Sequence, residues 1–303
     1  MLVEPMAERS PLELSAPARR GTLGVAPERR MAWSEWGPAD GAPVLLSPGA
    51  ATSSLLGFAA GVVERLGARL IAVDRPGLGG SDPAPGRTLL DTAADVRALA
   101  AALALERPAI VGFSQGAPLA LACAAAGAVS AVAVVSGTDE LAGPALRGML
   151  PPEVRQLVEL AEADPPAAEA LFRGMMTPAL LKEMVRGSPE VDRAVYLEPA
   201  FAAAFASAFD EGFVQGPDGF ARDTLLAMQR WPFDPAEIRQ PVHLWYGSLD
   251  ASPFHSLDLG AALARRIPGA ARTVVEGAGG SILWTHGTEI LEALLEARQR
   301  ART

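Results

Sequence analysis

Residues 112–116 have the sequence GFSQG, and this short segment constrains the fold more than any other part of the chain. It follows a short apolar run at 108–112 and precedes an apolar, alanine-rich run at 117–126. A serine between two glycines, where a strand meets a helix, is typical of a sharp turn that projects the hydroxyl above a sheet. The glycines suit this turn because side chains there would collide with the neighbouring strand and helix. The segment therefore predicts an exposed, reactive Ser114.

Short apolar runs alternate with helical patterns along most of the chain. The predicted helices are 51–66, 89–105, 117–126 and 289–298. The predicted strands are 21–25, 31–36, 43–46, 69–73, 108–112, 131–135, 241–246 and 271–275. Strands of this length separated by helices need crossover connections, so we expect an α/β fold with a mainly parallel, eight-stranded sheet and helices on both faces.

One long section, residues 141–238, interrupts the alternation with helical patterns and no convincing strand. We predict that it forms a helical cap, inserted into an α/β core made of residues 1–140 and 239–303. Four phenylalanines spaced four apart, at 201, 205, 209 and 213, lie near one helical face. Such a stripe is usually the core of the cap, and it can also be an apolar wall over a substrate pocket.

Composition narrows the classes of partner. The net charge of −9 argues against nucleic-acid binding and gives no attraction to anionic lipid. The chain has one cysteine, Cys123, no signal-peptide pattern and no unbroken apolar stretch of about 20 residues. No cluster has metal-ligand spacing, and the glycine-rich loop at 77–80 lacks the lysine of a phosphate loop. We expect a cytoplasmic protein with a small-molecule substrate and no cofactor. The sequence leaves open whether the protein forms a homodimer.

Three segments together resemble the α/β-hydrolase superfamily across residues 30–298. They are GFSQG at 112–116, DRPGLGGSD at 74–82 and GSLD at 247–250. The second pattern is similar to that of the branch with proline iminopeptidases, carbon-carbon bond hydrolases and small esterases. The resemblance implies acyl chemistry, since the nucleophile position holds serine and not aspartate. The expected function is hydrolysis of a small, largely apolar ester, lactone or ketone by acyl transfer to Ser114.

The resemblance also implies roles for particular residues. Asp250 matches the acid of a catalytic triad, and Asp139 is the reserve acid at the end of the preceding strand. The backbone N–H groups of Gln115 and Ala50 match the oxyanion hole, which stabilises the developing negative charge. The predicted substrate-pocket side chains are Phe113, Phe205, Phe209 and Trp284.

A general base is missing from its usual place. By resemblance, the catalytic histidine should follow the last strand, but Gly280 occupies that position and cannot take a proton. The chain has three histidines. His243 lies inside a predicted strand, where a structural role is expected. His255, five residues after Asp250, and His286, at the start of the last helix, are the candidates for a displaced base, and hydrogen-bond reach decides between them.

Three hypotheses therefore stay open from the sequence. The first is a serine hydrolase whose base is His255 or His286. The second is a non-hydrolytic enzyme, such as a lyase or cyclase, that uses the same pocket. The third is a small-molecule-binding homologue, or an inactivated variant in which the histidine was replaced by Gly280, either naturally or by engineering. Loss of one triad member usually leaves roughly 10³–10⁴-fold catalysis over water.

Overall fold

The computed structural model describes Leu12 and residues 14–301. One sheet of eight strands runs through it, in the spatial order β1-β2-β4-β3-β5-β6-β7-β8. The strands are β1 Arg19–Ala26, β2 Arg29–Trp36, β3 Ala42–Ser47, β4 Ala68–Val73, β5 Ala109–Phe113, β6 Val132–Val135, β7 Val242–Gly247 and β8 Ala271–Val275. The predicted number and order of strands along the chain are confirmed.

The six strands β3 to β8 are parallel to one another. The other two strands, β1 and β2, form an antiparallel hairpin at one edge, and β2 pairs with β4 in the antiparallel direction. The central strands of the sheet are buried on both faces, as parallel strands covered by helices usually are. In β3, for example, Leu45 packs into one core cluster, and Val44 and Leu46 pack into the cluster on the opposite face. The α/β fold class predicted from the sequence is therefore confirmed.

Twelve α-helices are present in the described part of the chain. They are α1 Ala60–Arg65, α2 Leu89–Ala102, α3 Ala117–Ala125, α4 Pro152–Ala163, α5 Pro165–Arg173, α6 Pro178–Gly187, α7 Glu190–Tyr196, α8 Pro199–Gly212, α9 Asp218–Met228, α10 Ala261–Arg266, α11 Ile282–Thr285 and α12 Gly287–Arg300. Six of them, α4 to α9, lie between β6 and β7 in sequence, the section for which helices were predicted.

The long helix predicted for 51–66 is wrong over its first nine residues, since only α1 forms. Tertiary hydrogen bonds take the backbone donors that a helix would need. The Ser53 N–H donates to the carbonyl of Ala208, 2.9 Å away, and the Ser54 N–H donates to the Asp74 carboxylate. Ala51 and Ala59 have positive φ angles, 63° and 51°, which no right-handed helix contains.

Candidate active site

Ser114 lies at the turn between β5 and α3, at the carboxyl end of the central strand. Its φ of 50° is in the left-handed region, which is unusual for a residue with a side chain and typical of this kind of turn. The turn leaves no room for side chains on either side. A Cβ on Gly112 would lie 2.7 Å from the Ala117 Cα, and one on Gly116 would lie 2.1 Å from the Ser47 carbonyl oxygen. Both glycines are therefore sterically required.

A histidine contacts the Ser114 hydroxyl, and it comes from the loop after β7. The His255 Nε2 lies 2.8 Å from the Ser114 Oγ. On the other side of the ring, the His255 Nδ1 lies 2.7 Å from Oδ2 of Asp250 and 2.9 Å from Oδ1. The three side chains thus form one hydrogen-bonded chain with the geometry of a nucleophile, a base and an orienting carboxylate.

The loop after β7 positions both Asp250 and His255. The Leu249 N–H donates to the Ala278 carbonyl, 2.8 Å away, and so ties this loop to the segment after β8. The Ser252 N–H donates to Oδ1 of Asp250 at 3.1 Å. Burial acts to raise the pKa of Asp250, but the charge and hydrogen bonds of His255 outweigh it, and the net pKa is lowered. Asp250 is therefore held as a carboxylate, which can orient an imidazole and stabilise its protonated form.

The other acid and histidine candidates lie elsewhere. The Nδ1 of His286 is 2.9 Å from the neighbouring Thr285 Oγ1, and His286 does not line the cavity that contains Ser114. His243 contacts Thr273 through Nε2 at 2.8 Å, within the sheet. Asp139 caps its own loop, since one of its oxygens accepts from the Glu140 N–H at 2.6 Å. Of these groups, the structure brings only His255 and Asp250 to Ser114.

The loop that carries Ala50 is fixed by a buried arginine. The guanidinium of Arg75 donates to the carbonyls of both Pro48 and Gly49, the latter at 2.9 Å. Its Nε donates to Oδ2 of Asp223 on α9, at 2.6 Å, and Arg75 is only 2% exposed. The arginine thus holds the backbone next to the predicted oxyanion donor and connects it to a helix between β6 and β7.

A second buried carboxylate, Asp192 on α7, binds the segment after β8. It accepts from the N–H groups of Gly280 and Ser281 at 3.0 and 2.8 Å, and from the Ser281 hydroxyl at 2.6 Å. These three bonds satisfy the buried carboxylate and anchor α7 beside the triad. The contacts of Asp192 and Asp223 are not predictable from the sequence, because an isolated aspartate in a helix gives no signal of a distant partner.

A cavity of about 520 Å³ opens onto Ser114. Gln115 and Ala50, the predicted oxyanion donors, both line it, as do Ser114, Asp250 and His255. Three of the four predicted pocket side chains, Phe113, Phe205 and Trp284, are also in the lining. The fourth, Phe209, lies outside this lining and packs with Ala51, Leu78 and Phe220 in a separate cluster. The reason is that α8 spans two clusters, so the phenylalanine stripe does not face the cavity along its whole length.

No group of three or more histidine, cysteine or acidic side chains in the described part of the chain is arranged to hold a metal ion. Among its helices, none combines the length and the apolar character needed to cross a bilayer. Cys123 is buried in α3, where burial raises the pKa of its thiol to about 12.

Comparison with known proteins gives the family. A family model described as the alpha/beta hydrolase family matches residues 44–293. This chain belongs to that family. A comparison with curated proteins gave no match.

Solved structures share the fold at low sequence identity. A bromoperoxidase from Bacillus anthracis is 19% identical, with a TM-score of 0.66, and the match covers 93% of this chain and all of the other. An esterase from a Rhodococcus species is 22% identical, with a TM-score of 0.63 and coverage of 92% and 98%. An enol-lactonase from Burkholderia xenovorans is 20% identical, with a TM-score of 0.65 and coverage of 90% and 98%.

Proposed function

We propose that this protein is a serine hydrolase that uses His255 as its general base and acts on a small, largely apolar ester, lactone or ketone. One observation carries the proposal: the imidazole of His255 bridges the Ser114 hydroxyl and the Asp250 carboxylate at 2.8 and 2.7 Å. Those distances fall within the range that proton transfer from a serine to a histidine requires. The similarity to an esterase and an enol-lactonase agrees with this chemistry.

The steps follow from the placement of these groups. The neutral His255 Nε2 takes the hydroxyl proton as the Ser114 Oγ attacks the substrate carbonyl carbon. The resulting oxyanion lies against the N–H groups of Gln115 and Ala50, and Asp250 stabilises the imidazolium. The imidazolium then gives its proton to the departing group, which leaves an acyl group on Ser114. Water, deprotonated by His255, hydrolyses this ester and regenerates the serine.

A fluorophosphonate probe tests whether Ser114 is activated in this way. We expect the probe to label the wild-type protein at Ser114 and to leave Ser114→Ala unlabelled. His255→Ala should slow the labelling rate by about 10³-fold or more, because the serine then has no base. The matched variant His286→Ala should be labelled at the wild-type rate. An unlabelled wild-type protein would favour a binding protein or a non-hydrolytic enzyme, and equal labelling of His255→Ala would remove His255 from the mechanism.

A further inference from the structure

The helix α6 presents an apolar face that is only partly packed against the rest of the protein, since Leu181 alone of this face packs against the cluster that contains Phe209 and Phe220. Leu180, Leu181, Met184 and Val185 lie on one side of α6, and all four line the cavity that contains Ser114. Among the α6 side chains whose burial the structure describes, none is fully buried. An amphipathic helix normally buries its apolar stripe against other elements. Here the stripe faces the cavity, so an apolar ligand in the cavity would cover it.

The part of the cavity wall next to α6 is apolar, and its methionine side chains can adapt their shape to a ligand. Met175 and Met176 precede α6, and Met228 and Phe220 on α9 also line the cavity. Methionine side chains have three rotatable bonds and adapt to the shape of an aliphatic partner. This combination suits an aliphatic chain that can bend, more than it suits a rigid ring system.

Few polar groups of the described lining are free to bind a ligand. No arginine or lysine is among the described residues that line the cavity. The two carboxylates in the lining are both engaged, Asp250 with His255 and Asp192 with the segment after β8. Among the other polar side chains, Thr52 donates to the Gly49 carbonyl and Thr224 donates to the Phe220 carbonyl, whereas the Gln115 Oε1 has no hydrogen-bond partner. The cavity therefore recognises its ligand mainly by apolar contact.

The cavity volume sets a scale for the length of the acyl group. At about 30 Å³ for each non-hydrogen atom, the space occupied by one liquid water molecule, a cavity of 520 Å³ holds roughly 17 such atoms. An acyl group of about eight carbons, its ester oxygen and a small alcohol fit this space. A sixteen-carbon acyl group would fill it without any alcohol.

We propose that the cavity binds an uncharged, aliphatic acyl group of about eight carbons, with its carbonyl at Ser114 and its chain along α6. The proposal rests on the hydrolase function proposed above and adds the substrate class. Each methylene that leaves water for the α6 wall should raise kcat/KM about fourfold. The acyl chain contributes binding free energy through its contacts with α6, whereas the reacting atoms contact only Ser114, His255 and the oxyanion donors.

Turnover of ethyl esters, whose alcohol is small enough to fit beside an eight-carbon acyl group, tests the length of the acyl chain. The expected order of kcat/KM is acetate, then butanoate, then octanoate, with about 10²-fold between butanoate and octanoate and a fall at hexadecanoate. A hexanoate ester carrying a terminal carboxylate should react at least tenfold more slowly than hexanoate itself. A matched pair of variants tests whether the acyl chain lies along α6. Met184→Glu should lower the ratio of kcat/KM for octanoate to kcat/KM for acetate about tenfold. Met149→Glu, at an exposed position outside the lining, should leave that ratio unchanged.

Binding to the Ser114→Ala variant separates the two proposals. Calorimetry with 2-octanone and 2-butanone, which are neutral and carry a carbonyl, should give about 10²-fold tighter binding of the longer ketone. Turnover that depends on His255, together with a preference for acetate and equal ketone affinities, would overturn the acyl-chain proposal and leave the hydrolase proposal standing. Chain-dependent ketone binding without turnover of any ester would overturn the hydrolase proposal instead.

Discussion

The carboxylate of Asp250 lies directly against the backbone of Gly280. A Cβ added to Gly280 would lie 3.0 Å from Oδ1 of Asp250 and 3.2 Å from its Cγ, closer than ordinary van der Waals contact. Any side chain at position 280 therefore presses on the carboxylate that orients His255. Gly280 has no side chain that could act in catalysis, and its small size leaves space for the hydrogen-bonded side chains of Asp250, His255 and Ser114.

The first prediction follows from this contact. In Gly280→Ala, the new methyl group should displace the Asp250 carboxylate by a few tenths of an ångström and lower kcat about tenfold, with a small change in KM. Gly61→Ala is the matched control, because a Cβ there meets no atom within 4 Å. Steady-state kinetics on an ester substrate measure both variants. If Gly280→Ala keeps the wild-type kcat, the packing between these two residues has no role in catalysis.

The second prediction concerns Arg75, the buried arginine that binds the loop carrying Ala50. Arg75→Lys keeps the charge but cannot hold the two carbonyls of Pro48 and Gly49 and the Asp223 carboxylate together. The loop that carries Ala50 should lose its fixed position, and kcat should fall about 10- to 100-fold with KM little changed. Arg69→Lys is the control, since Arg69 is a partly buried arginine that pairs with Glu35 far from the site.

Thermal unfolding of both arginine variants distinguishes an effect on catalysis from a general loss of stability. A fall in Tm with an unchanged kcat in Arg75→Lys would show that the arginine supports the fold alone. A fall in kcat without a matching fall for Arg69→Lys supports a positioning role.

The third prediction is a pH dependence of stability that arises from Asp139. Burial raises the pKa of Asp139 to about 6, above its ordinary value of 3.8. The folded state therefore binds more protons than the unfolded state between these two values, and the free energy of unfolding falls as the pH rises through that window. The contribution lost is about 3 kcal/mol at most, from a difference of roughly two pKa units.

Denaturant unfolding of Asp139→Asn at pH 4 and pH 7 measures this contribution. The wild-type protein should lose more stability than the variant over that interval. Asp218→Asn, which removes an exposed carboxylate, should follow the wild-type protein. Equal pH dependence in the wild-type protein and Asp139→Asn would contradict the assignment.

Local patterns were sufficient to predict the sheet and the position of Ser114 at the turn after β5. Most strands contain a short apolar run, although β1 begins with two arginines and is largely exposed. The turn at Ser114 has steric requirements that two flanking glycines reveal. The helix predicted for 51–66 failed because hydrogen bonds from Ser53 and Ser54 to distant residues override a local preference. Local pattern cannot contain such bonds, since their partners lie 20 and 155 residues away in the chain.

The histidine beside Ser114 was harder to predict than Ser114 itself, for a related reason. Whether His255 or His286 reaches Ser114 depends on the path of the loop after β7, and that path is set by bonds such as the one between Leu249 and Ala278. The sequence reduced the choice to two residues. The contacts of Asp192 and Asp223 gave no sequence signal at all, because both residues act on backbone or side-chain groups from distant segments.

The kinetics of His255→Ala and His286→Ala, measured side by side on one ester, test the central claim most directly. If His255 is the base, His255→Ala should lower kcat/KM by about 10³-fold or more, and His286→Ala should leave it within twofold of the wild-type value. A wild-type kcat/KM in His255→Ala would contradict the account. So would a wild-type protein without esterase activity that gains it only in Gly280→His.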